Sequence, residues 1–308
     1  MRTRVLATTG TGKFEETLFE FTGDDDSIVV QNVMTGVCTS DIAMMTGDFG
    51  PLPLHMQGHE GLGKVISIGK NVYTTVAVGD YVATRGEPAY ADYYPVRDGE
   101  FVVVPAALPK YILEPVACGI NVILGDLIEL EGRFTASDNP KLLILGSGFL
   151  AYVAYKTIKL HQVDVDIDVV GSSNKSIWEA EGVELKSKPS TGYEVVVVLK
   201  DSNALEESNI INTNGLVIDA VGRAVSKKES ENLLWKAVTT VRPSPRKALF
   251  LECMQLAEKW ITDGELDVEK FWTKSYNRDT EWQQAFADGL NRPAGYSRGY
   301  IVWNNNGN

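Results

Sequence analysis

The run Lys141-Leu142-Leu143-Ile144-Leu145-Gly146-Ser147-Gly148-Phe149-Leu150-Ala151 decides how this chain folds. It opens on a short apolar stretch closed by a glycine, the pattern of a strand buried on both faces of a parallel sheet. Leu150, Val153, Ala154, Ile158 and Leu160 then recur at helical spacing, so a helix with one apolar face follows at once. Gly146 permits a tight turn, and Gly148 lets the backbone approach a pyrophosphate. Ala151 is the third small residue, where helix and strand pack closely. The helix start at Phe149 and Leu150 offers unpaired N–H groups and the positive end of a dipole to the phosphates. Alone, G-x-G-x-x-A is also an ordinary tight turn. Between a strand and a helix it predicts a bound dinucleotide.

Further out, residues 166–170 form a second strand ending at Gly171, and β-like runs recur at 194–199, 215–221 and 237–241. Helical or polar segments separate them, 183–186 reads as one more short strand, and 247–263 as a closing amphipathic helix. This α/β alternation predicts a doubly wound Rossmann domain over residues 118–263, with a six-stranded parallel sheet. The second strand runs into Gly171-Ser172-Ser173-Asn174-Lys175. Ser172, Ser173, Asn174 and Lys175 offer two hydroxyls, an amide and a cation where a carboxylate would repel a 2′-phosphate. NADP(H) is therefore expected in preference to NAD(H), although the loop has no arginine. In the alternative, Asp168 reaches the ribose; its place inside the strand argues that it faces away.

Residues 1–117 have a different texture. Val- and Ile-rich runs at 27–32, 63–68 and 80–83 are bounded by Gly, Asp or Asn, with Gly69, Gly79, Gly86 and Gly99 as punctuation. A β-rich barrel or sandwich is expected. The tail 264–308 returns to mixed texture, ending in a Tyr300-Ile301-Val302-Trp303 strand and an Asn-rich 304–308 expected to fray. The β-rich domain is thus read as discontinuous, 1–117 plus 264–308.

Composition excludes several classes. At 308 residues the chain has room for two domains, and 44% hydrophobic with 23% charged residues is too apolar for disorder. A net charge of −12 argues against a broad footprint for nucleic acid or an anionic membrane. No window approaches the roughly 20 apolar residues of a membrane span. The polar residues after Leu6 do not read as a secretory core. Cys38, Cys118 and Cys253 include no Cys-x-x-Cys pair, which excludes a four-cysteine zinc site and suggests a reducing, cytoplasmic compartment.

Any metal must therefore have mixed ligands. Cys38-Thr39-Ser40-Asp41, Gly58-His59-Glu60 and Glu114-Pro115 together offer one thiolate, one imidazole and one or two carboxylates. That set fits a catalytic zinc with three protein ligands and an open fourth position. Taken singly, each has a plainer role: a small buried cysteine, a core histidine, a solvated carboxylate.

Their joint context carries a resemblance. Gly-Val-Cys-Thr-Ser-Asp at 36–41, Gly-His-Glu at 58–60, Val-Gly-Asp-Tyr-Val at 78–82, Tyr-Ala-Asp-Tyr at 90–93, Glu-Pro-Val-Ala-Cys-Gly at 114–119 and Gly-Ser-Gly-Phe-Leu-Ala at 146–151 occur in one order. In that order they resemble the medium-chain zinc-dependent alcohol dehydrogenases and reductases. The sorbitol-dehydrogenase-like branch, where Glu-Pro replaces the third-ligand cysteine, is the nearer match. The resemblance covers nearly the whole chain, though 175–260 matches in pattern only. It implies a GroES-like catalytic domain beside the Rossmann domain. Cys38 and His59 would be zinc ligands, Glu60 a ligand that swings on and off, and Glu114 a direct or water-mediated one. Asp41 would orient His59, and Ser40 would hydrogen-bond the substrate oxygen and start a proton relay. Cys118 would face the nicotinamide, with an extra sulfur ligand as the alternative, and Arg298 would reach the pyrophosphate. Met44, Met45, Phe49, Tyr93 and Trp272 are candidate pocket walls, each also a candidate core residue.

Two departures stand out. Relatives carry a four-cysteine lobe where Arg85-Gly86-Glu87-Pro88 here runs almost directly to Tyr90, implying one catalytic zinc and no structural zinc. Many also place a histidine where this chain has Ala43. The resemblance implies hydride transfer between NADP(H) and a small alcohol, polyol, aldehyde or ketone, in a homodimer or tetramer. The alternatives are a zinc-independent quinone or enone reductase of the same superfamily and a non-catalytic NADPH-binding protein.

Overall fold

The computed structural model describes residues 1–8, 12–47, 53–222, 224–244 and 249–303. The chain divides into two compact units, Met1–Ala117 with Met254–Asn308, and Cys118–Cys253. No helix among the described residues is long and apolar enough to cross a membrane.

The first unit opens with an antiparallel ribbon of β1 (Arg2–Thr8) and β2 (Phe14–Glu20). Next come β3 (Ser27–Gly36), helix α1 (Thr39–Thr46), β4 (Gly61–Ile68), β5 (Tyr81–Thr84), β6 (Tyr93–Arg97) and β7 (Phe101–Val104). Helix α2 (Glu114–Leu124) carries the chain into the second unit. That unit holds α3 (Leu127–Phe134), β8 (Lys141–Leu145), α4 (Phe149–Leu160), β9 (Asp166–Val170), α5 (Lys175–Ala180), β10 (Tyr193–Val198), β11 (Ile211–Asp219), α6 (Lys227–Trp235) and β12 (Thr239–Val241). Helix α7 (Leu249–Thr262) leads back, and β13 (Trp272–Asn277), α8 (Trp282–Asn291) and β14 (Arg298–Val302) complete the first unit.

The seven-stranded sheet of the first unit runs β13-β14-β3-β4-β5-β7, with β6 also paired to β3. The long β3 is its spine, antiparallel to β4, β6 and β14. One apolar cluster joins Ile28, Val30, Val65, Val82, Tyr94 and Phe101; another joins Leu6, Phe14, Ile42, Met45, Tyr90, Phe286 and Ile301. Each such Val, Ile or Phe contributes about 1.5–3 kcal/mol on burial, and the second cluster underlies the loops after β3 and before β4.

The second unit is a parallel sheet in the order β12-β11-β10-β8-β9. Its inner strands carry continuous apolar runs at 142–145, 195–198 and 216–218, as burial under helices on both faces requires. The expected sixth strand at 183–186 is a correction: it contributes only an isolated bridge between Lys186 and Val170. Glu184 and Lys186 there are exposed and Val183 and Leu185 only half-buried, so little apolar burial favours a strand, and Pro189 removes a donor just beyond. Five strands remain among the described residues.

The return to the first unit falls at Met254 rather than at residue 264. The cause is α7, one continuous helix whose last residue, Thr262, hydrogen-bonds Tyr111 at 3.1 Å within the first unit.

A buried carboxylate fastens α8 to β13. Asp288 accepts hydrogen bonds from Lys274 at 2.5 Å and from Tyr276 and Gln284 at 2.6 Å. Burial alone would raise its pKa, but the bonds from Lys274, Tyr276 and Gln284 outweigh burial and hold it below the usual carboxylate range. A depressed pKa gives stability that is full above the unfolded-state value and is lost as pH falls through the folded value. The wild-type chain should therefore lead Asp288→Asn in urea midpoint at pH 7, with the gap narrowing toward pH 3. A gap independent of pH would contradict this account.

Candidate metal and dinucleotide sites

Strand register assembles the first site. Thr35 on β3 pairs with Gly61 on β4, and the Gly36 N–H donates to the Glu60 carbonyl at 2.9 Å. On the other side Gly36 pairs with Tyr300 on β14, and the Val37 N–H donates to the Gly299 carbonyl at 3.0 Å. Cys38 follows β3, His59 and Glu60 precede β4, and Arg298 starts β14, so all four meet at one end of three neighbouring strands. Gly36 is required there because a Cβ would overlap the Glu60 carboxylate. Gly58 holds φ +76°, and a Cβ on it would lie 2.6 Å from the Tyr90 ring.

Helix α1 fixes the next layer. Cys38 is its N-cap, and Asp41 Oδ2 accepts the Cys38 N–H at 2.9 Å, the reciprocal half of a capping box. The Cys-x-x-Asp spacing is thus also a helix-start signal. Asp41 is fully buried, and the Tyr90 hydroxyl donates to the same Oδ2 at 2.6 Å. Oδ1 has no hydrogen-bond partner and lies 3.6 Å from His59 Nδ1, while Ser40 Oγ lies 3.4 Å from His59 Nε2.

Cys38, His59 and Glu60 each offer a ligand atom, and these lie within 4.8 Å of one another. Glu114, buried at the start of α2, is outside that trio, yet its charge reaches His59. Burial opposes a charged His59, but the Asp41 and Glu114 carboxylates raise its pKa well above the usual value. Burial and the neighbouring Glu60 charge push the Cys38 thiol up. Three buried carboxylates and a thiol around one imidazole call for a cation, and a soft sulfur, a nitrogen and an oxygen suit zinc. The orphaned Asp41 Oδ1 behind the imidazole is what a metal-bound histidine's second nitrogen requires.

Arg298 supplies one cation. Its Nη2 lies 2.5 Å from both Glu60 oxygens, and its guanidinium stacks 4.8 Å from the Trp272 ring. Charge attraction to Glu60 thus draws Arg298 into the donor group.

In the second unit the glycine-rich turn has the expected form. Gly146 sits at φ +127°, its N–H bonded to the Val170 carbonyl at 2.9 Å, and Gly148 caps α4 with open space where a Cβ would be. Phe149 and Leu150 begin α4, and Ala151 is buried. Ser147 ties this turn to the loop after β9. Its Oγ lies 2.9 Å from Ser173 Oγ, and its carbonyl accepts from Asn174 at 3.1 Å and Trp178 at 3.0 Å. Ser172 and Lys175 are exposed on that loop, with Lys175 3.5 Å from Glu179. Asp168 is engaged elsewhere, by Lys186 and Tyr193 at 2.6 Å and Ser190 at 3.0 Å. The open Gly148 and the bonded pair of loops fit a dinucleotide phosphate.

The candidate pocket walls lie in different surroundings. Met45 packs in the core with Tyr90 and Phe286, and Met44 is buried. Tyr93 accepts from Gln31 at 3.1 Å in mid-β3, away from the Cys38 end. Trp272 lies under Arg298, and Phe49 falls outside the described residues. Cys38 is the one cysteine of the donor group among the described residues. Sequence reasoning missed Tyr90 behind Asp41; the signal was available in Gly58, whose glycine makes room for its ring.

Residues 24–108 match the alcohol dehydrogenase GroES-like domain. Prostaglandin reductase-3 of Mus musculus is 29% identical over 147 residues, 46% of this chain and 37% of that protein. An alcohol dehydrogenase of Schizosaccharomyces pombe is 40% identical over 76 residues, 24% of this chain and 21% of that one. The chain thus spans little more than a third of the length of the prostaglandin reductase-3 relatives and less of the others. The crystal structure of S. aureus TarJ in complex with NADPH superposes with a TM-score of 0.76 at 16% identity, covering 98% of this chain and 99% of that one. Residues 24–108 thus carry a GroES-like domain of the alcohol dehydrogenase type, and the chain shares its overall fold with solved dehydrogenase structures such as a thermostable alcohol dehydrogenase from Pyrobaculum aerophilum, at a TM-score of 0.74 and 15% identity over 98% of this chain and 100% of that one.

Glu60 is fully buried and Arg298 nearly so, and removing one partner of such a pair leaves an uncompensated charge. In metal-free protein, Arg298→Met should lower unfolding free energy by roughly 3 kcal/mol, read from urea denaturation. A loss no larger than that of an exposed arginine would contradict the pairing.

Proposed function

We propose that the protein is a zinc-dependent oxidoreductase that moves a hydride between NADP(H) and a small alcohol, polyol, aldehyde or ketone. The observation that carries this reading is the sulfur, nitrogen and oxygen donor group of Cys38, His59 and Glu60 beside Ser40, in a chain that also has a glycine-rich dinucleotide turn. Cys38 and His59 would hold the ion, with Glu60 or Glu114 as the third ligand. Bound there, zinc would serve as a Lewis acid toward the substrate oxygen, and the nicotinamide would carry the hydride.

The chain's own groups have separate tasks. Asp41, buried and acceptor-only with Oδ1 3.6 Å from His59 Nδ1, would accept a hydrogen bond from Nδ1–H and leave Nε2 as the coordinating nitrogen. Ser40 Oγ, at hydrogen-bonding range of that imidazole edge, accepts the substrate hydroxyl proton or returns one to a carbonyl oxygen. With Ala43 where relatives have histidine, the proton leaves Ser40 by way of ribose and water. Arg298 would compete with the ion for Glu60, which would make Glu60 the ligand able to leave. Ser172, Ser173, Asn174 and Lys175 would bind the 2′-phosphate, and the Gly146–Leu150 turn the pyrophosphate. The shortened connection from β5 to β6, residues 85–92, supports a single zinc and no structural one.

A second reading has its own support. The prostaglandin reductase relatives are reductases by name, and Glu60 already has a cationic partner in Arg298. On that reading the protein is an NADPH-dependent enone reductase that uses no zinc.

Metal analysis after purification without chelator separates the two: about one zinc per chain supports the first reading, and none supports the second. Cys38→Ser and His59→Ala should each lose zinc and turnover of alcohols or aldehydes while leaving the Kd for NADPH nearly unchanged. Full activity in both variants would refute the site. NADPH should bind about tenfold tighter than NADH, the worth of one net charge-assisted hydrogen bond. Tighter NADH binding, measured by fluorescence titration, would overturn the cofactor preference.

A further inference from the structure

None of Tyr90's hydrogen bonds goes to a proposed ligand, yet three segments of the donor group's framework meet on it. Its N–H donates to the Gln57 carbonyl at 3.1 Å, just ahead of His59, and its carbonyl accepts from Leu6 at 2.9 Å. The buried Asn32 amide fixes the turn by donating to the carbonyls of Ala89 at 2.6 Å and Ala91 at 3.0 Å. The ring lies edge-on to Phe14 and Phe286, with centroids at 5.7 and 5.3 Å, and Gly58 leaves it room. Its hydroxyl therefore points one way: 2.6 Å from Asp41 Oδ2 and 3.2 Å from the Gly36 carbonyl. The single hydroxyl hydrogen goes to the nearer, charged acceptor.

With the Cys38 N–H also on Oδ2 at 2.9 Å, that oxygen is saturated, and Oδ1 is the oxygen presented to His59 Nδ1. We propose that Tyr90 is a positioning residue for the metal centre: its hydroxyl orients the Asp41 carboxylate and thereby fixes the His59 tautomer and ring plane needed to bind the ion. This rests on the reading of Cys38, His59 and Glu60 as zinc ligands. The rival view is that the hydroxyl is one more buried hydrogen bond. Tyr94 provides the control, since its fully buried hydroxyl lies 3.0 Å from Thr84 Oγ1, a neutral partner outside the donor group.

The test uses the full chain, stripped of metal, as wild type, Tyr90→Phe and Tyr94→Phe. Both variants keep the ring, and each loses one buried hydroxyl. Zinc affinity is measured by competition with a chromophoric chelator, and Co(II) spectra report the ligand field. Tyr90→Phe should weaken zinc binding by roughly 10–100-fold, the usual effect of losing an outer-shell partner, and shift the cobalt bands. Tyr94→Phe should match wild type in both readouts whatever its Tm. In an Asp41→Asn background, Tyr90→Phe should cost little more, because it acts through Asp41. Wild-type zinc affinity and cobalt spectrum in Tyr90→Phe, or an equal penalty in both backgrounds, would overturn the proposal while leaving the zinc reading intact. A wild-type chain that binds no zinc would overturn both.

Discussion

The pairing of Thr35 with Gly61, and of Gly36 with Tyr300, is the constraint on which the candidate metal site depends. Side chains in a strand alternate faces, so a slip of one residue between β3 and β4 would send Glu60 to the opposite face from Cys38. The slip is prevented by the same residues that build the core. Ile28 and Val30 of β3 and Val65 of β4 have to remain in one apolar cluster. Placement of the ligand-bearing loops is thus enforced by hydrophobic burial further along the same strands, and the glycines at 36 and 58 remove the bulk that would block them.

The site placed this way is electrostatically uncomfortable. Asp41, Glu60 and Glu114 are buried around one imidazole and one thiol. An unpaired carboxylate is costly in such surroundings, and each here is answered differently. Asp41 is held by a phenol and a backbone N–H, Glu60 by Arg298, and Glu114 acts on His59 through its charge. Arg298 is itself supported by the face of Trp272. The partner of Glu60 is one that a metal ion could replace like for like, cation for cation.

Sequence spacing made much of this legible and hid some of it. The strand–turn–helix at 141–160 announces itself because helix and parallel strand have different periods in adjacent residues. Lys186 defeats the same reasoning: Val183-Glu184-Leu185-Lys186 alternates like a strand, but alternation does not say whether neighbours cover it. Cys38, His59 and Glu60 were legible as a metal-binding chemistry. The engagement of Arg298 by Glu60 was not, because it depends on β14 returning from the far end of the chain to pair with β3. Met45, read in the sequence as either a pocket wall or a core residue, packs in the core beside Tyr90.

Asp41 shows why local and functional readings of one residue need not compete. Its spacing from Cys38 is that of a capping box, and its burial and second oxygen are those of a histidine's orienting partner. A free helix cap could sit at the surface, where Asp exchanges readily with Ser or Asn. Burial under Tyr90 removes that freedom, since an amide at 41 would place a donor where the Cys38 N–H and the Tyr90 hydroxyl need an acceptor, or else turn that donor toward His59 Nδ1–H. Helix initiation has thereby been tied to the protonation geometry of the imidazole. On the function proposed above, the hydrogen bonds that start α1 at Cys38 also hold the carboxylate that would orient His59.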